Sequence, residues 1–327
     1  MINSRFFHTF ILVLGTLVIL ASVGAGITRH LARTPALGPG AQYLYIEPGM
    51  GVKRVAWLAY EGGLVAAPWH FSLVVRLRGM ERGLLAGEYE ILPGQPLSAT
   101  LDQIKKHDVY LHRLAIPEGL SVSEVMLLLK GADGLDLEGM VAPMEGSLLP
   151  DTYFYERGDK ATELIARMAR AMNEVLLNAW ETRADNLPFS SVEEALVLAS
   201  IVEKETAVAS ERPLVAAVFV NRLKKNMRLQ SDSTVIYGIT TGMPLDRPIS
   251  RADLREETAY NTYRVGGLPP TPIANPGRDA IAAVMNPADV PYLYFVADGT
   301  GGHAFASTLE DHNRNVVRWR KIERESR

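Results

Sequence analysis

Residues 190–206 read Ser190-Ser191-Val192-Glu193-Glu194-Ala195-Leu196-Val197-Leu198-Ala199-Ser200-Ile201-Val202-Glu203-Lys204-Glu205-Thr206. Between Ala195 and Val202 only Ser200 is polar, so a helix here has no face for water and belongs in a domain core. Ser190 is the expected N-cap, with Glu193 three residues on in a capping-box pattern. At helical spacing Ala195, Leu198, Val202 and Glu205 fall on one face, while Leu196, Ala199, Ser200 and Glu203 fall on another. The helix therefore carries at least one carboxylate to the edge of a buried region. Desolvation there raises its proton affinity toward the range useful for proton donation near neutral pH. Spacing alone leaves a second reading open, a frayed and solvated helix end.

Working outward, 327 residues leave room for roughly two domains beyond a targeting segment. A net charge of −3, with no basic stripe, excludes a nucleic-acid partner. The chain has no cysteine, which removes disulfides, thiolate nucleophiles and cysteine zinc sites together. Its seven histidines form no His-x-x-x-His pair, so no metal site is expected.

Phe6 to Ile27 carries no Asp, Glu, Lys or Arg, and as a helix spans roughly 33 Å, enough to cross a bilayer. A cleaved signal peptide is the rival, with Val23-Gly24-Ala25 as its cleavage site, but its apolar core is only about 7–15 residues. The expected order is an N-terminal tail over 1–5, a transmembrane anchor over 6–27 and a Pro/Gly-containing stalk over 28–42. Charges on the two flanks do not fix the orientation.

Between 43 and 133 one small unit recurs. Tyr43–Ile46, Glu88–Leu92 and Tyr110–Ile116 read as strands, and each meets a proline turn: Pro48-Gly49, Pro93-Gly94 and Pro117-Glu118-Gly119. Each turn opens onto apolar residues at helical spacing. A further helix over Trp69–Leu77 follows Pro68. No acid–base cluster is evident in this region, which leaves a positioning module and a structural spacer as its two readings. The segment 134–327 forms a second domain, with helices over Ala161–Ala184, from Arg212-Pro213, and over Asp311–Glu325, and a buried strand at Tyr292–Val296. The fold class is thus α+β: a transmembrane helix, a small α+β module, and a mixed α+β domain built around the buried helix.

Gly- and Pro-rich loops follow Met227 and Tyr263, where sites commonly lie. Gln230, Asn261 and Thr262 are candidates to hold a hydroxyl-rich ligand, and solvated loop polarity is the alternative. His303 either lines a site or bonds a turn carbonyl. Asn275 and Asn286 precede prolines and read as turn formers. No Gly-x-Ser-x-Gly elbow or Walker loop is present. A carboxyl at a helix end among amides, hydroxyls and aromatics suits a polysaccharide, and ordinary glycosidases pair two carboxylates. Asp232, Asp151 and Glu145 are the candidate partners, and the sequence does not choose among them.

Ala199–Ala207, Arg228-Leu229-Gln230-Ser231-Asp232, Ala259-Tyr260-Asn261-Thr262-Tyr263, Gly267-Leu268-Pro269-Pro270 and Tyr292–Val296, in this order, closely resemble the YceG-like family. The resemblance runs from the anchor to the C-terminal helix and is densest from Leu198 to Asn313. It implies a LysM-like module over 43–133 and a catalytic domain over 134–327 on the periplasmic side of the inner membrane, held by one membrane pass. The implied activity is lytic: cleavage of the β-1,4 bond between N-acetylmuramic acid and N-acetylglucosamine within nascent glycan strands. The muramic acid C6 hydroxyl closes on C1 and leaves a 1,6-anhydro end, which terminates elongation. The family's acid falls on Glu205, with Glu203 read as structural. Gln230, Asp232, Asn261, Tyr263 and His303 are the expected substrate contacts. The resemblance implies peptidoglycan strands and a peptidoglycan synthase as partners, and no cofactor or metal. The alternative is a membrane-tethered, non-enzymatic glycan-binding or scaffold protein of cell-wall synthesis.

Overall fold

A computed structural model describes residues 4–36 and 40–325 of the chain. Residues 1–3 of the expected tail and 37–39 of the expected stalk lie outside them. The chain divides into two units, 1–112 and 113–327.

The first unit begins with α1 (Ser4–Arg33), whose apolar stretch is exposed from His8 to Ile27 within the chain. The helix continues through residues expected to form a stalk, because its last turn has something to pack on. Leu31 is buried in the unit's core, with Ala32 and Ala36 against it. β1 (Gln42–Ile46), α2 (Val52–Glu61), α3 (Pro68–Leu77), β2 (Gly87–Ile91) and α4 (Leu97–Lys106) follow. β1 and β2 pair antiparallel from Gln42↔Ile91 to Ile46↔Gly87. Leu44, Ile46, Tyr89 and Ile91 alternate inward from this ribbon to meet Val55, Phe71 and Val75. The Pro-Gly turns work as the sequence suggests. Gly49, Gly94 and Gly119 each take a positive φ, of 81°, 76° and 76°, which residues with a Cβ rarely adopt. The region does hold an acid–base pair that the sequence did not reveal: buried Glu88 lies 2.5 Å from His112.

The third strand–turn–helix repeat leaves its expected module and joins the second unit. β3 (His112–Ala115) pairs with β4 (Thr152–Tyr155), and α5 (Val122–Lys130), capped by a Ser121/Glu124 box, shares a core with α6 (Ala161–Glu181). The boundary therefore falls at 112/113 and not at 133. Local pattern marks where an element begins, but the packing partners of β3 and α5 lie farther along the chain.

α7 (Val192–Glu205) is the centre of this unit. Every residue from Ala195 to Val202 except half-buried Leu196 is buried. Its cap sits one residue later than expected. The Ser191 hydroxyl accepts from Glu194 N–H, and the Glu194 carboxylate reaches back to Ser190 N–H at 2.7 Å. α8 (Arg212–Lys224) packs against α7. α9 (Asp232–Thr240) and α10 (Arg278–Met285), two helices the sequence reading passed over, pack there too. Ser200, the one polar residue in the buried run, donates to Val197 C=O and accepts from Ile273 N–H, so it is satisfied in place. β5 (Tyr294–Ala297) and β6 (His303–Ala306) form a hairpin flanked by α11 (Leu309–Glu325). The expected buried strand is thus half-buried: no third strand joins the hairpin among the described residues.

Leu198 is fully buried in the α7 core. Leu198→Ala is expected to cost about 2–5 kcal/mol, the range for a large-to-small change in a core that relaxes only partly. A fall in the urea midpoint of the second unit, followed by far-UV circular dichroism, measures it.

Candidate active site

Glu205 is the last residue of α7, where the dry helix reaches a wet surface. Its Oε1 accepts from Ser231 Oγ at 2.5 Å and from Ser233 Oγ at 3.0 Å, and the two hydroxyls are 2.7 Å apart. No hydrogen bond to Oε2 is found among the described residues. Ser231 stands at the N-cap position of α9, yet its hydroxyl does not cap that helix, because it is turned to Glu205. The backbone around it is held from both sides. Ser231 N–H donates to Thr262 Oγ1 at 3.0 Å, Thr234 Oγ1 donates to Ser231 C=O at 2.7 Å, and both threonines are fully buried.

The carboxyl opens onto a groove of about 360 Å³ whose lining includes Lys204, Asp232, Ser233, Tyr237 and Gly119. One rim is fixed by Asn275. This buried side chain accepts from Leu148 N–H and donates to Leu120 C=O, which makes it a clamp and not a simple turn former. Lys204 Nζ reaches Gly119 C=O on the same rim at 3.1 Å. At the far side Gly242, with φ +92°, lies so close to Ser121 that a Cβ would sit 2.5 Å from the serine Cβ.

Burial pushes the Glu205 carboxyl well above its ordinary range, and the Asp232 charge adds to this; the Ser231 and Ser233 hydroxyls and His303 pull the other way. Glu203 is also raised by burial, so proton affinity does not separate the two glutamates. Access does. The Glu203 side chain is 6 % exposed and fully engaged: Oε2 accepts from Gly277 N–H at 2.9 Å, and Oε1 lies 3.6 Å from the Arg212 guanidinium. It pins the start of α10 to α7. Glu205 is half-buried as a residue too, but it lines the groove, which Glu203 does not.

The other sequence candidates scatter around this point. Asp232 lines the groove and accepts from Tyr263 Oη at 2.7 Å, which places Tyr263 one step behind it. Gln230 is exposed beside Ser231 on left-handed backbone (φ 53°), and its side chain has no hydrogen bond among the described residues. Asn261 corrects the expectation of a ligand contact. It is fully buried, its amide donates to Asp253, Leu254 and Glu256 carbonyls, and its Oδ1 accepts from Tyr263 N–H. It shapes the loop that carries Thr262 and Tyr263. His303 is not part of the groove lining; Glu211 holds it through Nδ1 at 2.6 Å and through its backbone N–H. Of the three possible partner carboxylates, only Asp232 shares the groove. Glu145 takes Val122 N–H and Tyr237 Oη, and Asp151 takes Thr152 N–H. Ser231 and Ser233, the direct partners of Glu205, were missed. The Ser-Asp-Ser start before Thr234-Val235-Ile236 is a helix-start signal that places them.

The fold and site define an α+β protein with an N-terminal apolar helix and a desolvated, groove-facing carboxyl. Residues 44–318 match the YceG-like family, and the chain belongs to that family. It is 28% identical over 303 residues to the endolytic murein transglycosylase of Bacillus subtilis, across 82% of each chain. It is also 28% identical over 319 residues to the endolytic murein transglycosylase of Streptococcus pneumoniae, covering 83% of this chain and 57% of that longer one. A crystal structure of a YceG-like protein from Listeria monocytogenes superposes with a TM-score of 0.53 at 26% identity, over 85% of this chain and 99% of the other.

A carboxyl raised by burial has a signature in stability. In the folded protein Glu205 keeps a proton that the unfolded chain sheds near the ordinary value of 4.5. Its contribution to stability is therefore complete below that pH and is lost as pH rises toward the folded value. Glu205→Gln removes the charge. The variant is expected to melt above the parent at pH 7 and to lose that advantage at pH 4, as thermal unfolding at the two pH values shows.

Proposed function

We propose that this protein is a membrane-tethered endolytic murein transglycosylase. It cleaves the β-1,4 bond between N-acetylmuramic acid and N-acetylglucosamine inside a strand and leaves a 1,6-anhydro end. One observation carries the reading: a desolvated carboxyl, Glu205, opens on a groove with one oxygen unengaged among the described residues. The similar proteins of two bacteria are named for this activity on murein.

In the proposed reaction Glu205 enters protonated, as its burial favours. Both serine hydroxyls address Oε1, so the proton sits on Oε2 and passes to the glycosidic oxygen as the bond to muramic C1 breaks. The muramic C6 hydroxyl then bonds to C1 and gives its proton to Oε2. The acid is restored, no water is consumed, and each product end is accounted for. Hydrolytic glycosidases need a second carboxylate to activate water or to attack C1. Here Glu124 also lines the groove but is taken up in the Ser121 capping box, and Asp232 accepts from Tyr263; the role of Asp232 is to raise Glu205 and to orient sugar hydroxyls together with Tyr263 and Gln230. α1 crosses the inner membrane once and leaves both units on the periplasmic side, where murein and its synthases are found.

Glu205→Gln is expected to fold as the parent does and to release anhydro-ended fragments at least about 10²-fold more slowly, the usual worth of a positioned acid–base. Mass spectrometry of digested sacculi reads the ends. Reducing ends from the parent protein would make it a hydrolase, and no new ends at all would make it a binder. Ser231→Ala removes a donor that favours the ionised acid. The alkaline limb of its kcat/KM profile is expected at higher pH than the parent's, and Ser233→Ala moves it the same way.

A further inference from the structure

We propose that the α3 face carrying Trp69, Leu73 and Leu77 rests on the bilayer surface, so that the first unit is held in the headgroup layer and does not swing on a stalk. The inference rests on the reading of α1 as a membrane anchor and goes beyond it.

The anchor and the unit are continuous. α1 runs unbroken to Arg33 and is fixed to the unit immediately afterwards. Leu31 is 9% exposed within the core, Thr34 C=O accepts from Leu97 N–H, Ala36 N–H donates to Gln95 C=O, and Pro35 bridges Pro96. Thus the direction of the anchor is passed to the unit with no free joint between Ile27 and Ala36.

Ile27, still half exposed, is the last apolar residue of the span before the turn carrying Arg29, His30 and Arg33. From Ile27 to the docked Leu31 a helix rises about 6 Å, and the headgroup region of one leaflet is about 5–7 Å deep. The elements that touch the end of α1 therefore lie at headgroup depth. α3 and α4 are those elements.

On α3, Phe71, Val74 and Val75 face the core. The opposite stripe carries Trp69 at 58% and Leu77 at 57% exposure, with half-buried Leu73 between them at i+4 spacing and Arg76, 79% exposed at its side chain and 3.7 Å from the Glu81 carboxylate, alongside. Leu73 rests its inner side on the core and the Trp69 ring meets His70 edge-on, which leaves most of the Trp69 and Leu77 surface open to what lies outside the unit. An indole and a guanidinium flanking leucines match the membrane interface, where the ring and stem lie in apolar surroundings and the polar tips stay wet.

The cysteine-free sequence and its four tryptophans make a direct test available. The full chain, with Trp57, Trp180 and Trp319 changed to Phe, is reconstituted into phosphatidylethanolamine/phosphatidylglycerol vesicles containing lipids spin-labelled at the headgroup or high on the chain. α1 has no tryptophan, so all emission comes from Trp69. Blue-shifted emission, quenched by these lipids and insensitive to aqueous iodide, is expected. In a second protein Leu77→Cys carries a nitroxide, whose relaxation should respond to oxygen and be shielded from a water-soluble nickel complex. Protein that floats with the vesicles while Trp69 is iodide-accessible and the Leu77 label sees nickel overturns the inference and leaves the anchor standing. Protein that does not float overturns both.

Discussion

A carboxyl can be kept partly out of water only if both it and the walls around it are held against the pull of solvation. Glu205 meets that constraint because α7 cannot rotate or slide. Nearly every side chain of its second half is buried against α6, α8 or α10, so a shift would expose apolar surface on one side and create a cavity on the other. A helix wet on one face would have left its terminal residue free to drift outward. The close packing of Ala195 to Val202 is thus a requirement of the chemistry three residues later.

The helix ends by distributing three consecutive polar side chains about 100° apart to three destinations. Glu203 goes to the N-terminus of α10 and to Arg212, Lys204 to the Gly119 rim, and Glu205 to the serines at the start of α9. One helix end so fixes the relative positions of the segments that build the groove. Glu203 and Glu205 are both raised by burial. The difference between a brace and a reactive group lies in what remains unsatisfied: Glu203 has spent both oxygens, and Glu205 has spent one.

Much of this was legible in the chain itself. α7 declares itself by an apolar run that no solvated helix tolerates, α1 by its length without charge, and the strand–turn–helix repeats by Pro-Gly pairs that admit few other geometries. What was not legible depends on distant partners. β3 and α5 carry the same local signature as the first two repeats, yet belong to the second unit because their partners, β4 and α6, come later. Asn261 has the composition of a ligand contact and the position of a brace, a distinction that only its burial and its carbonyl partners reveal. Ser231 was hidden for the opposite reason: its residue type suits a helix cap, and the structure turns the hydroxyl to a neighbouring carboxyl instead.

The crowding of both hydroxyls onto one oxygen of Glu205 has a stereochemical consequence for the proposed reaction. In a β-linked muramyl residue the departing oxygen and the hydroxymethyl arm lie on the same face of the pyranose ring. A proton given at the first and recovered from the second never needs to cross the sugar plane. In the proposed reaction one oxygen above that face suffices for the round trip, and an acid facing the opposite side of the ring would have nothing to do.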